Sequence, residues 1–256
     1  MNVLRNIPPE LHVMKKLPKT VYYEGNTELL KRPKIAIVGS RKPSQYTKEI
    51  TYTLASKLAA RGVCIVSGAA MGVDALAHKG AGSANTIAVM ANGLDIIYPK
   101  VNRTLIESIA AEGLVLSQFE SGFTATRWSF VVRNELVVAL GDVLIVTQAD
   151  ISSGTMRSVA YAQAMGKPVY VVPHRLEESL GTQELLKHKT AQGIYDIEAF
   201  VAGFGRAEFT CKKDELLEYC RRGVSYEEAV AHYGDRIVEY ELEGRIKIEH
   251  GNIYVV

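Results

Sequence analysis

Two strand-turn-helix units set end to end between Lys34 and Lys79 limit the folds open to this chain more than any other feature. Ile35-Ala36-Ile37-Val38 is an apolar run of strand length that stops at Gly39-Ser40-Arg41. Ile50, Leu54 and Leu58 then recur at helical spacing until Arg61-Gly62 supplies a basic last turn and a stop. A second apolar run, Val63 to Val66, meets Ser67-Gly68 and opens into Val73-Asp74-Ala75-Leu76-Ala77-His78. This βαβα order predicts a parallel sheet with helical crossovers. In such sheets the turns after the strands lie at one edge, where free backbone N–H groups and helix N-termini favour anions. The two glycine turns are therefore expected close together, as parts of a phosphate-binding edge.

The same alternation continues downstream. Apolar runs at Thr86 to Met90, Leu114 to Ser117, Val143 to Thr147 and Val169 to Val172 are separated by helical patterns around Leu105 to Ile109, from about Phe130 to Leu140, and from Thr155 to Met165. Most of these helices end at a glycine. The expectation is an α/β fold: a Rossmann-like, doubly wound, mostly parallel sheet over residues 1–206. Residues 1–30 form a lead-in in which Val21-Tyr22-Tyr23 could add an edge strand. Gly203-Phe204-Gly205 reads as a hinge. Beyond it, residues 207–256 show three short helical patterns, a capping-box spacing at Ser225-Tyr226-Glu227-Glu228, and a hairpin alternation from Gly244 to Val256. That combination suggests a winged-helix-like module.

Charge sharpens this division. The 256 residues carry a formal net charge of +2, but residues 207–256 hold 11 acids and 7 bases, net −4, which leaves +6 on the rest. The tail is thus a poor candidate for a strong DNA clamp. Within the α/β part, Lys31, Arg32, Lys34, Arg41, Lys42 and Lys48 follow one another without an acid. Such a run is either a solvated face or, on a glycine turn, a surface for a polyanion. Cys64, Cys211 and Cys220 form no CxxC pair, no run approaches a membrane span, and the first ten residues lack the apolar core of a secretory signal, so a cytoplasmic location is expected.

Three stretches carry candidate chemistry. Gly39-Ser40-Arg41 offers a planar guanidinium and backbone N–H groups to a phosphate, or is a tight turn with an exposed arginine. Asp150-Ile151-Ser152-Ser153-Gly154-Thr155 runs from a strand into a helix and suits a phosphate oxygen, or is a plain N-cap. Arg127-Trp128-Ser129-Phe130-Val131-Val132-Arg133-Asn134 mixes cations and aromatics without an acid. Unpaired nucleic acid needs a basic track and stacking faces of that kind, although Trp128 is better read as packing. Asp74 and His78, four apart on one helix, are read as a helix-terminus acid and a hydrogen-bonded histidine before any acid/base pair. No GxGxxG supports a dinucleotide cofactor, and neither the six histidines nor the carboxylates cluster as metal ligands, so no cofactor, metal or catalytic residue is assigned.

These motifs occur in an order that resembles the DprA/Smf family of DNA-processing proteins. The likeness is carried by Ala36 to Arg41, Val66-Ser67-Gly68, Gly72-Val73-Asp74, Ala77 to Ala81, Gly93-Leu94-Asp95, Tyr98-Pro99, Asn102, Phe130, Arg133-Asn134 and Ser153-Gly154-Thr155, across residues 20 to 195. The resemblance implies a non-enzymatic, cytoplasmic protein of natural transformation that protects incoming single-stranded DNA, loads RecA recombinase onto it and forms a homodimer. It implies DNA contacts from Gly39, Ser40, Arg41 and Ser44, from Ser67, Gly68, Ser153, Gly154 and Thr155, and from Arg127, Phe130, Arg133 and Asn134. The chain departs from the family pattern at Met71, which adjoins a slot usually filled by arginine, and at Val131 and Glu135, where a proline and an arginine are common. The rival reading is a nucleotide-binding or nucleotide-cleaving enzyme of the related phosphoribohydrolase type. Such enzymes place a glutamate near a Gly-Gly-x-Gly-Thr loop, whereas Met156, Arg157 and Ser158 follow Thr155 here.

Overall fold

The computed structural model describes residues 2–205, 215–220, 224–234, 236–242, 244–249 and 251–255. The chain divides into two compact units, Met1–Phe209 and Thr210–Val256. In the first unit the strands are β1 (Asn2–Val3), β2 (Tyr22–Gly25), β3 (Lys34–Val38), β4 (Cys64–Ser67), β5 (Thr86–Met90), β6 (Leu114–Ser117), β7 (Val143–Val146), β8 (Val169–Val171) and β9 (Gln192–Gly193). They form one sheet in the order β1-β2-β6-β5-β4-β3-β7-β8-β9. From β6 to β9 every pairing is parallel, while β2 joins β6, and β1 joins β2, antiparallel. The lead-in thus adds a strand at Tyr22-Tyr23, as expected, but that strand is itself flanked by β1, which forms the edge of the sheet.

The strands are near-continuous apolar runs because both faces are covered. Ile35, Ile37, Ile65 and Ile145 pack on one face against α1 (Gln45–Ala60) and α2 (Val73–Ala81) through Leu54, Leu58, Val73 and Ala77. Ala36, Val38, Val66, Leu144 and Val146 face α4 (Arg127–Leu140) and α5 (Gly154–Ala164), preceded in the chain by α3 (Arg103–Glu112), through Leu136, Val137, Leu140 and Val159. From β3 the chain winds outward through β4 and β5 to β6, then returns to the other side of β3 with β7. The carboxyl ends of β3 and β7 are therefore the topological switch point, where wound sheets open a crevice for ligands. The unit closes with α6 (Leu180–Lys187) and α7 (Ile197–Ala202).

The basic run from Lys31 to Lys48 is split by this geometry. Lys31 pairs with Glu28 at 2.8 Å, Arg32 donates from Nε to the Gly62 carbonyl at 2.9 Å, and Lys34 is buried. Lys34 Nζ meets Glu10 Oε1 at 2.8 Å and the carbonyls of Leu30 and Arg32 at 2.7 and 3.0 Å. These three lie at the amino end of β3, so Arg41, Lys42 and, within α1, Lys48 are the cations of the run that follow its carboxyl end. The Cys64 thiol is pushed up to about 12 by burial inside β4 and is inert at neutral pH.

The second unit contains α8 (Glu215–Cys220), α9 (Tyr226–Tyr233), α10 (Arg236–Leu242) and a hairpin of β10 (Ile246–Glu249) and β11 (Asn252–Val255). Ser225 and Glu228 form both arms of the capping box. Leu216, Cys220, Ala229, Ile237, Tyr240, Ile246 and Ile253 make its core. Cys211 and the boundary expected at 206 and 207 lie outside the described residues.

Candidate nucleic-acid interface

The loop after β3 is held from three sides. Thr155 Oγ1 donates to the Gly39 carbonyl at 3.1 Å, the Ser40 carbonyl accepts the Val73 N–H at 3.1 Å, and Ser40 Oγ accepts the Lys42 N–H at 3.1 Å. Gly72, at φ +79°, abuts the Ser40 carbonyl where a side chain would collide, so the first loop is pinned on the start of α2. Ser44 caps α1 by accepting the Thr47 N–H at 3.2 Å, and its own N–H donates to Gln148 Oε1 at 2.9 Å. Its hydroxyl is thereby committed to the helix, and Ser44 lines no part of the cleft described next.

Between the two strand ends lies a cleft of about 410 Å³. Gly39, Ser40 and Arg41 form one wall, and Ser153, Gly154 and Thr155 form the other at the N-terminus of α5, while Asn134 also contributes. Ser153 precedes the helix without a side-chain cap bond, and its Oγ is buried with no partner among the described residues. A helix N-terminus with a spare hydroxyl is a setting for an anionic oxygen.

At the mouth, the Arg41 guanidinium stands over the Phe130 ring, 5.4 Å from its centroid, and Tyr98 lies against the same ring at 5.8 Å. Arg41 is exposed, and among the described residues no acid forms a salt bridge with it. Phe130 is half-buried. A cation and a partly open aromatic face at one crevice suit a phosphate and a base of the same strand.

Other expected contacts are relocated. Arg133 is only 4% exposed: Nη1 donates to the carbonyls of Gly68 and Val89, and Nε donates to Asn134 Oδ1 at 3.0 Å. It lines the cleft as a buried strut whose donors are turned into the fold, and a side chain at Gly68 would press on that guanidinium. Ser67 is fully buried, since the strand pleat turns it inward and its hydroxyl donates to the Ile37 carbonyl at 2.7 Å. Arg127 is exposed in the first turn of α4 but does not line the cleft. Trp128 lies edge-on to Phe119 and Phe123 at 5.5 and 5.6 Å but is 55% exposed, so it packs on the surface of α4 and not in the core.

The family model described as DNA recombination-mediator protein A matches residues 3–205. The chain belongs to this DprA/Smf family. It is 35% identical over 196 residues to Protein Smf of Synechocystis, covering 73% of this chain and 49% of that protein. It is 35% identical over 175 residues to the DNA processing protein DprA of Streptococcus pneumoniae, covering 68% and 62%. The chain spans about half to two thirds of the curated relatives it matches. A solved structure of DNA processing protein A from Helicobacter pylori, described for its single-stranded DNA binding mode, superposes with a TM-score of 0.78 at 46% identity, covering 79% of this chain and 94% of that one. The X-ray structure of Streptococcus pneumoniae DprA gives 0.72 at 32%, covering 77% and 71%.

In this DprA/Smf chain the cleft also contains residues that the motifs did not mark as site residues. Asp74 and Asp150 line it. Burial pushes the Asp74 carboxyl up, against the opposing pull of Arg133, the N–H groups of Ala70 and Gly68, and Arg41. His78 is fully buried, and its Nδ1 lies 2.6 Å from Thr86 Oγ1, whose own proton goes to the Ile65 carbonyl at 2.7 Å. Nδ1 must therefore carry the hydrogen, and the ring is neutral, its pKa pushed down to about 3 by burial and by Arg133. Asp74 stands in the first turn of α2 and His78 is hydrogen-bonded within the core, in keeping with their structural reading. Tyr98 and Met71 come to Phe130 from loops distant in sequence, and nothing short-range could have paired them. Among the described residues no group of three or more His, Cys, Asp or Glu could hold a metal, and no helix is long and apolar enough to cross a membrane.

Proposed function

We propose that this chain binds single-stranded DNA without sequence preference, at the crevice between the carboxyl ends of β3 and β7. The observation that carries this reading is the exposed Arg41 over Phe130 at the mouth of a cleft whose far wall is the N-terminus of α5. Phosphates meet Arg41, the Gly39-Ser40 backbone and the Ser153-Gly154-Thr155 turn, while a base stacks on Phe130. Arg127, exposed on the same helix, is assigned a second backbone contact along the strand. The DNA-processing relatives support this assignment.

The role of the protein is that of a cytoplasmic DNA-processing factor of natural transformation, which protects the incoming strand, loads RecA recombinase onto it and acts as a homodimer. Residues 207–256 serve as a winged-helix-like module for a protein contact or a weak second DNA site, in line with their excess of acids. The protein acts by binding rather than by turnover, because Met156, Arg157 and Ser158 occupy the positions where the nucleotide-cleaving relatives place their acid. Titrating a labelled oligo-dT at low and moderate salt tests the reading. Binding that falls steeply with salt is expected, and no binding at either salt overturns it. Base release from nucleoside monophosphates would establish the enzymatic alternative instead.

A further inference from the structure

At the opposite end of β3 from the phosphate cleft, the surface opens into a groove of about 710 Å³. The two openings share that strand. Lys34 at its amino end lines the groove and Val38 at its carboxyl end lines the cleft, about 13 Å apart at the rise of an extended chain. Leu4, Ile7, Tyr23 and Leu30 line the groove as half-buried apolar side chains packed on the core. Val3 of β1, the strand at this edge of the sheet, lines it too.

The register of β1 shows which main-chain groups are spare. The Leu4 N–H donates to the Val21 carbonyl at 2.9 Å, so the bonded positions of this antiparallel pair fall on Leu4 and, two residues back, on Asn2. The N–H and C=O of Val3 between them therefore turn to the open edge. An open edge beside an apolar groove offers an extended peptide main-chain pairing and a place for every second side chain. Charge selects the peptide. Lys34 pairs with Glu10, and Lys31 with Glu28, each at 2.8 Å. Arg5 also lines the groove and is exposed, and among the described residues no acid forms a salt bridge with it. We propose that the groove docks an extended segment of a partner protein in which acidic and bulky apolar residues alternate. Its main chain pairs with Val3, an apolar side chain settles among Leu4, Tyr23 and Leu30, and a carboxylate meets Arg5. This inference goes beyond the single-strand reading and is independent of it: the openings are separate, so DNA and partner are held at once.

The probe is a fluorescein-labelled octapeptide in which aspartate alternates with leucine, titrated into the full chain and followed by anisotropy. A lysine-leucine peptide of the same length should bind about tenfold more weakly, the scale of one hydrogen bond to a charged partner. Arg5→Glu, a surface change, should reverse that preference, and N-methylating the peptide main chain should abolish binding. Saturating oligo-dT should leave the peptide affinity unchanged. No binding of the aspartate peptide, equal affinity for both peptides, or a preference that survives Arg5→Glu overturns the proposal. So does displacement of the peptide by oligo-dT, which would place it in the cationic cleft. Sedimentation in which Arg5→Glu splits a dimer would give the groove to a second copy of this chain and overturn the proposal as well. Failure to bind oligo-dT would overturn the proposed function alone, and the comparison of the two peptides would still decide this one.

Discussion

Arg41 covers the ring of Phe130 with its guanidinium carbon 5.4 Å from the centroid, although one residue follows β3 and the other belongs to α4. The pair joins a phosphate ligand to a stacking face, and the two contributions separate by their response to salt. Arg41→Ala should weaken oligo-dT binding and flatten the salt slope by about one phosphate equivalent. Phe130→Ala should cost about 1–3 kcal/mol of binding with little change in slope. Anisotropy titrations at two salt concentrations check both. Identical slopes for the two variants would show that the pair acts as one packed unit instead.

Arg133 separates folding from binding in the opposite way. It is buried against Gly68 and Val89, and Asp74 supports its charge. Arg133→Met should leave Asp74 buried without its partner and destabilise the protein by about 3–5 kcal/mol, read as a shift of the urea midpoint. A variant of wild-type stability that has lost DNA binding would return Arg133 to the surface role that its sequence context suggested.

The contrast between these two arginines shows where the sequence is legible. Strands covered on both faces must be apolar throughout, so β3 to β8 could be read directly, and the glycine turns marked their carboxyl ends. The order of strands could not be read, because the jump from β6 back across β3 to β7 leaves no local trace. Arg41 and Arg133 look alike in sequence, yet only Arg133 has a space prepared for it, by the missing side chain of Gly68 on another strand end. Ser67 was misplaced for a simpler reason: it is the last residue of its strand, and the pleat decides its direction. Glu135, noted only as a departure, accepts the Lys15 N–H at 2.8 Å and ties the lead-in to α4.

That tie gives a third prediction. Glu135→Ala should leave the Lys15 N–H without its carboxylate and open the segment around it, at a cost of about 1–3 kcal/mol. Limited proteolysis should cut near Lys15 and Lys16 sooner than in the wild type, while oligo-dT affinity stays unchanged. Loss of affinity without faster cleavage would place Glu135 in the binding surface instead.

His78 adds a pH dependence. Its pKa is pushed down to about 3 in the folded chain against an ordinary value of 6.5, so between those values the unfolded chain binds the proton and the folded one does not. Its contribution is fully present above pH 6.5 and is lost as pH falls toward 3, with a slope of up to about 1.4 kcal/mol per pH unit. The raised Asp74 carboxyl has the opposite sign, so the difference between wild type and His78→Gln isolates the histidine. Urea midpoints from pH 7 to pH 4 should fall more steeply for the wild type, and parallel curves would mean that the ring is protonated inside the fold.

The two hydroxyls of the α5 turn should separate in the same manner as the arginines. Thr155 Oγ1 donates to the Gly39 carbonyl and staples one strand end to the other, whereas Ser153 Oγ is buried without a partner. Removing a satisfied hydrogen bond costs stability, but removing an orphan relieves a desolvated group. Thr155→Val should therefore lower stability by about 1 kcal/mol, and Ser153→Ala should leave it unchanged or slightly higher. If the strand's phosphate is the missing donor-seeking partner, Ser153→Ala should still weaken oligo-dT binding several-fold, because the hydroxyl proton reaches an anionic oxygen only in the complex. Equal affinity in Ser153→Ala and wild type would move the phosphate away from the helix N-terminus and leave Arg41 as its anchor.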